Sequence, residues 1–177
     1  MWKNKIVGHG EEAPDQLLAN PLNARIHPTE QQDALEGSLE EIGWIQDVIV
    51  NMRTSEQWPA GEREVQTLVD GHARVKLAMR HGQEKIPVKY VDLTPNEERL
   101  ALAVFDPIGA MAVVDEAIFK QLLEDTNTGN SALQELIAGL ADSAKALTPP
   151  DDFKEVGEDI QTDHTCPKCG YAWSGGK

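Results

Sequence analysis

Val65 to Val69 reads as a short apolar strand that runs with no linker into Asp70-Gly71-His72-Ala73-Arg74. The residues that follow, Val75, Leu77, Ala78 and Met79, keep helical spacing as far as Gly82. A strand joined to a helix by a single glycine turn leaves the first N–H groups of that helix unpaired and facing outward, with the positive end of the helix dipole behind them. This is the local architecture of a phosphate site. Gly71 lets the backbone turn tightly and approach a ligand, and Arg74, one turn into the helix, can add a bidentate charged contact. Asp70 is placed to hold a metal ion or to act as a base beside the anion. An ordinary strand-to-helix turn with an exposed Arg has the same Gly-x-x-Arg spelling, so the surrounding pattern decides its weight.

The flanking elements can be read in order. Residues 1–13 look like a loose lead-in, and Pro14 to Pro21 a helical turn followed by a loop. Thr29 as N-cap with Gln32 three residues later predicts a capping box; Leu35, Leu39 and Ile42 continue that helix, and Gly43 closes it. Trp44 to Val50 and Ile86 to Val91 read as strands, Pro87 marking an edge or a strand start. Between them residues 51–64 are polar, with a turn at Pro59-Ala60-Gly61. Thr94-Pro95-Asn96-Glu97 opens a further helix, Asp115 caps one through Leu123, and Ser131 caps one to about Ala146. Thr148-Pro149-Pro150 breaks the pattern, and the acidic residues 148–163 read as a linker. The expected division is 14–115, a helical extension 116–147, the linker, and a tail 164–177.

Charge narrows the partners. Across 177 residues, 16 Lys and Arg oppose 30 Asp and Glu, a net charge of −14. Residues 1–100 carry −6 of this and residues 101–177 carry −8. Such a chain cannot coat DNA by displacing counterions, so any nucleic-acid role needs a local basic patch or a second protein. Arg74, Lys76 and Arg80 offer one positive helix face, while the acidic C-terminal part suits a basic protein partner. No apolar segment follows the basic start, and Leu100 to Val114, interrupted by Asp106-Pro107, is too short and broken to span a bilayer. A cytoplasmic protein with no membrane partner is the expectation.

Taken in order, Asn20-Pro21-Leu22-Asn23-Ala24-Arg25, the helix from Gln31 to Gly43, the strand to Val50, Asp70-Gly71-His72-Ala73-Arg74 and Ile86-Pro87-Val88 resemble the N-terminal domain of the ParB/sulfiredoxin superfamily, in the form carried by short phage and mobile-element proteins. The resemblance covers roughly residues 14–115. It implies an α+β fold with a small mixed sheet and flanking helices. It also implies a pocket for CTP or ATP, with Mg²⁺, lined by Asn20 and Arg25 of the Asn-Pro-x-x-x-Arg loop and by Gly71, His72 and Arg74 of the phosphate turn. A later helical motif of the family binds metal through Glu and Asn; here Leu100 to Gly109 departs from it, which weakens the implication of hydrolysis. Gly61-Glu62-Arg63 imitates the phosphate motif but lies in a polar loop with no apolar helix after it. Sulfiredoxin chemistry requires a Cys where His72 stands. His27, ahead of Pro28, is read as shaping the entry to the next helix.

Cys166-Pro167-Lys168-Cys169-Gly170 is half of a zinc ribbon. His164 can add a third ligand, or a partner copy can supply the missing pair and make a metal-bridged homodimer. The sequence thus leads to a nucleotide-binding ParB-like accessory protein of phage or mobile-element DNA metabolism, meeting DNA directly or through a protein. The alternatives are a ligand-free acidic interaction module, such as a DNA mimic, and a small-molecule kinase or nuclease built on Asp70.

Overall fold

Four strands form one mixed sheet: β1 (Ile6–Glu12), β2 (Val48–Asn51), β3 (Thr67–Asp70) and β4 (Ile86–Val91), in the order β1-β4-β2-β3. β4 lies antiparallel to β1 and parallel to β2, and β2 is antiparallel to β3. Among the described residues a 3-10 turn (Pro14–Gln16) and five α-helices accompany the sheet: α1 (Thr29–Glu41), α2 (His72–Arg80), α3 (Pro95–Ala110), α4 (Glu116–Asp125) and α5 (Ser131–Leu147). This computed structural model describes residues 1–147, 164–165, 167–168 and 172–173. The chain divides into two units, Met1–Ala144 and Lys145–Lys177.

The core is aliphatic and small. Val48 and Val50 of β2, Leu68 of β3, Ile86 and Val88 of β4, and Val75 and Ala78 of α2 are buried together with Leu17. Trp44 and Tyr90 pack against them. Alternation along β2 and β4 puts Val48, Val50, Ile86 and Val88 inside, which is why the apolar strands were legible. β1 was not. Its side chains are almost all exposed, so it carries no apolar alternation, and backbone pairing with β4 alone reveals it. That pairing also places β4, with Pro87, inside the sheet rather than at an edge; Pro87 stands second in the strand, ahead of the Val88 register with β2.

Helix starts differ from expectation by one residue at two places, and α4 runs two residues past the expected Leu123. Thr29 is the first residue of α1, Pro28 occupies the cap, and no side chain caps it; Gln32 Nε2 instead donates to the His27 carbonyl at 2.8 Å. Asn130, not Ser131, caps α5, its Oδ1 accepting from the N–H groups of Ala132 and Leu133. The capping box of α3 forms as read, Thr94 and Glu97 exchanging bonds. Asn130, the cap of α5, lies close against α1 because Gly37 has no side chain: a Cβ there would fall 2.5 Å from Asn130. Glu41 at the end of α1 accepts from Thr128 and from the backbone of Gly129 and Asn130.

One charged cluster lies inside the protein. Glu98, on the first turns of α3, is 1 % exposed. Its carboxylate accepts from Arg53 Nη2 and Nε at 2.7 and 3.1 Å, from Asn51 Nδ2 at 2.7 Å and from Asn20 Nδ2 at 2.7 Å. Arg53 adopts φ +52°, and its guanidinium lies 4.1 Å over the Trp58 ring. Burial by itself raises the Glu98 pKa, but the bonds from Arg53, Asn51 and Asn20 outweigh it and leave the group below its ordinary 4.5. Nearby Glu97 is held down at about 2 by Lys5 and the Thr94 backbone.

Both carboxyls are depressed in the folded state, so their stabilisation is complete above about pH 4.5 and is lost as pH falls below it. Denaturant melts between pH 7 and 2 are expected to show this acid limb. Glu98→Ala, which strands Arg53 as a buried unpaired charge, is expected to lose about 3–5 kcal/mol at pH 7. A loss below about 1 kcal/mol would show that the cluster is solvated.

Candidate functional site

β3 passes directly into α2, and Gly71 makes the turn at φ +92°. A side chain there is excluded twice: by the left-handed backbone and because a Cβ would lie 3.0 Å from Val48 Cγ2. The close approach that demands glycine is thus toward β2, not toward a ligand. No side chain caps α2, so the N–H groups of its first turn keep the anion-binding character expected of them.

Around this helix start lies an open cleft of about 430 Å³. Arg25, Asp70 and Asp106 form its polar wall, and Leu35, Leu133 and Leu136 its apolar wall. Arg25 bridges the two carboxylates, Nη1 lying 3.4 Å from Asp70 Oδ1 and Nε 2.5 Å from Asp106 Oδ2. Arg74 is buried, and its donors serve the protein: Nη2 bonds Asp70 Oδ2 at 2.9 Å, and Nη1 bonds the carbonyls of Gln46 at 2.6 Å and Asp47 at 3.4 Å. The cleft therefore holds two guanidinium groups and two carboxylates, already paired.

His72 joins the cleft to the loop that carries Arg25. Its Nε2 accepts the backbone N–H of Asn20 at 3.2 Å, which in the neutral ring places the proton on Nδ1. That Nδ1 is buried without a hydrogen-bond partner. Burial, then the Arg25 charge, push the His72 pKa down; Asp70 opposes them, and His27 adds a smaller downward push. Neutral His72 thus keeps a buried, unpaired donor beside the start of α2. His27 does shape the helix entry: its Nδ1 pairs with Gln31 Oε1 at 3.1 Å, and its carbonyl holds Gln32.

Two expected features take another form, and the third, Gly61-Glu62-Arg63, lies in a loop as expected. Arg74, Lys76 and Arg80 make no common positive face, because Arg74 is turned inward and Arg80 engages Gln32 and Glu36. Asn20 is 4 % exposed and its amide is committed to Glu98, so it supports the pocket rather than lining it. The segment Gly61-Glu62-Arg63 belongs to the loop closed on Pro59; Glu62 lies 3.5 Å from Arg53, and Arg63 bonds carbonyls of its own loop.

Of the tail, Cys166 and Cys169 lie outside the described residues. His164 and Thr165 pair antiparallel with Trp173 and Ala172 as a short hairpin. Among the described residues no group of three or more His, Cys, Asp or Glu side chains is placed to hold a metal, and no helix is long and apolar enough to cross a membrane.

Sequence reasoning missed Asp106, Glu98 and the Leu133–Leu136 wall. Asp106 and Pro107 looked like an interruption, yet α3 runs through both to Ala110. Leu133 and Leu136 fall in the helix expected from Ser131, and nothing in the sequence says what they cover. Glu98, between Glu97 and Arg99, carried no signal of burial.

No family model matches this chain, and no curated protein matches it. Solved structures do. The C-terminally truncated chromosome-partitioning protein ParB from Caulobacter crescentus, complexed with CTP-γ-S, superposes with a TM-score of 0.54 at 17 % identity, over 78 % of this chain and 91 % of that one. The same organism's protein complexed to the centromeric parS site gives 0.44 at 19 %, over 80 % and 73 %. A Pnob8-like ParB-N domain gives 0.45 at 15 %, over 82 % of this chain and 52 % of its own. The first of these shows that the fold is ParB-like.

Two measurements check this geometry. Long-range ¹H–¹⁵N spectra at pH 7.5 are expected to show His72 as the Nδ1–H tautomer, titrating below its ordinary 6.5. Gly71→Ala is expected to lose about 1–3 kcal/mol from the left-handed backbone, with a further cost from the contact with Val48. An unchanged melt would mean that the turn relaxes freely.

Proposed function

We propose that this chain binds a nucleoside triphosphate, CTP or ATP, in the cleft at the start of α2. In this reading it acts as a ParB-like accessory protein in the DNA metabolism of a phage or mobile element, meeting DNA directly or through a protein partner. The observation that carries the reading is the uncapped N-terminus of α2, with Arg25 at one side of the cleft and the unused His72 Nδ1 donor beside it. These groups suit a polyphosphate: backbone N–H groups and a helix dipole, a planar cation, and a neutral donor. Leu35, Leu133 and Leu136 supply an apolar surface for the base. A neighbour of the same fold, complexed with CTP-γ-S, supports the choice of ligand. Mg²⁺ would arrive with the triphosphate, and Asp106 and Asp70 are the carboxylates nearest to receive it.

In the free protein Arg25 is held by Asp70 and Asp106, so an incoming anion must compete with both. Asp70 is a poor base in this setting, because one oxygen faces Arg25 and the other accepts from Arg74. This disfavours kinase or nuclease chemistry at Asp70. The same neutralisation favours one rival, a ParB-like fold that has given up its ligand and uses its acidic C-terminal part to bind a basic protein.

Calorimetric titration with the four ribonucleoside triphosphates, with and without Mg²⁺, separates the two. Binding by one of them, weakened about tenfold or more in Arg25→Ala, is the expected result. Asp106→Asn, which frees Arg25, is expected to tighten Mg²⁺-free binding several-fold. Arg74→Ala is expected to weaken binding indirectly, because it releases Asp70 and strands the Gln46 carbonyl, and it is the less selective variant. Absence of binding by all four nucleotides would select the rival.

A further inference from the structure

The loop that carries Arg25 buries almost no apolar surface of its own. Between residues 19 and 30 the one buried residue is Asn20; the large apolar side chains of this stretch, Leu22 and Ile26, are 55 % and 90 % exposed. Arg25 and His27 face the cleft already described on one side, and on the other a second hollow of about 510 Å³. Packing therefore does not place the loop. A loop without apolar burial takes its position from hydrogen bonds at its ends.

Its C-terminal end is tied to the start of α1 through His27 and Gln32. Its N-terminal end leaves β3 at Leu18, whose N–H donates to the Gln66 carbonyl at 3.2 Å and whose carbonyl accepts the Leu68 N–H at 2.9 Å. Beyond that bridge it is tied at Asn20, through every polar group that residue has. Nδ2 donates to Glu98 Oε1 at 2.7 Å, and Oδ1 accepts the Leu22 N–H at 3.0 Å. The Asn20 carbonyl accepts the Asn23 N–H at 3.0 Å, and its N–H donates to His72 Nε2 at 3.2 Å. Asn23 in turn accepts the Arg25 N–H at 3.3 Å. Glu98 is immobilised by Arg53 and Asn51 at the end of β2. A continuous chain of bonds thus runs from the sheet through Glu98 and Asn20 to the backbone of Arg25 and to the ring of His72.

We infer that Glu98 and Asn20 are positioning residues for the anion site. The buried carboxylate sets Asn20, and Asn20 sets both the reach of Arg25 and the tautomer of His72. The inference rests on the nucleotide-binding reading for its effect on affinity, but its effect on His72 is a property of the free protein. A charge-assisted bond at a buried loop end is worth more than a neutral surface bond, so its loss should be felt at the site.

The test compares Asn20→Ala with Val88→Ala, a core truncation in β4 remote from the loop, in the full chain. CTP and ATP, each with Mg²⁺, are titrated calorimetrically, and the His72 ring nitrogens are followed by ¹⁵N spectra without nucleotide. Asn20→Ala is expected to weaken nucleotide binding about tenfold and to turn the His72 Nδ1–H signal into a mixture of tautomers. Val88→Ala, lowering the melting temperature at least as much, should change neither. Should Asn20→Ala fail to fold, Asn20→Ser, which keeps a hydroxyl donor, is expected to show the same changes at about threefold. Retention of the wild-type tautomer in the Asn20 variant, or equal changes in Val88→Ala, would overturn the inference. If the wild-type protein binds neither nucleotide, the reading of the cleft fails, and the tautomer alone decides whether Glu98 and Asn20 position the loop.

Discussion

A buried carboxylate organises this fold. Glu98 sits where an aliphatic side chain would ordinarily sit, and it stays ionised because Arg53, Asn51 and Asn20 satisfy it from three directions. Those three residues come from the site loop, from the end of β2 and from just beyond it; α3 supplies the charge. A non-directional hydrophobic contact at this point would let the elements slide over one another. The carboxylate admits one arrangement, since each oxygen needs its donors at particular angles. The cost appears in Arg53, a non-glycine residue with positive φ that is stacked on Trp58 and closed in by Glu62.

The cleft depends on that arrangement at one remove. α3 reaches the site twice, through Glu98 and Asn20 at its start and through Asp106, paired with Arg25, two turns later. α2 contributes its helix start, and α5 closes the apolar side, its cap Asn130 lying close against α1 at Gly37. The site is therefore assembled from four helices and one loop around a single strand-to-helix turn. Its cations and carboxylates balance one another, Arg25 sharing its charge between Asp70 and Asp106 and Arg74 pairing with Asp70.

Much of the fold could be read directly, and the failures have identifiable causes. Strands with alternating buried valines and isoleucines were found, whereas β1, nearly all exposed, left no such trace. The Thr94–Glu97 capping box is a local device spelled in four residues, and it formed. At α1 and α5 a competing neighbour, Pro28 or Asn130, took the cap from the Thr or Ser beside it. The charges of α2 looked like a face because three cations stand close together in sequence. Two residues of helix turn a side chain by more than half a revolution, so Arg74 and Lys76 diverge and Arg74 goes inside.

Local covalent order, then, determined the phosphate-type turn. A strand, a glycine that must take positive φ and a helix with an uncapped start are features of adjacent residues, and no distant contact is needed to write them. The ordering of Asn20, Arg25 and Arg74 along the chain marked which residues would gather near that turn. What each of them does was decided only in three dimensions. Arg74 spends its donors on Asp70 and the Gln46 carbonyl, Asn20 turns inward to Glu98, and Asp106 arrives from α3 to hold Arg25. A side chain's hydrogen-bond partners are set by which elements pack beside it, and packing depends on contacts made across dozens of residues of separation.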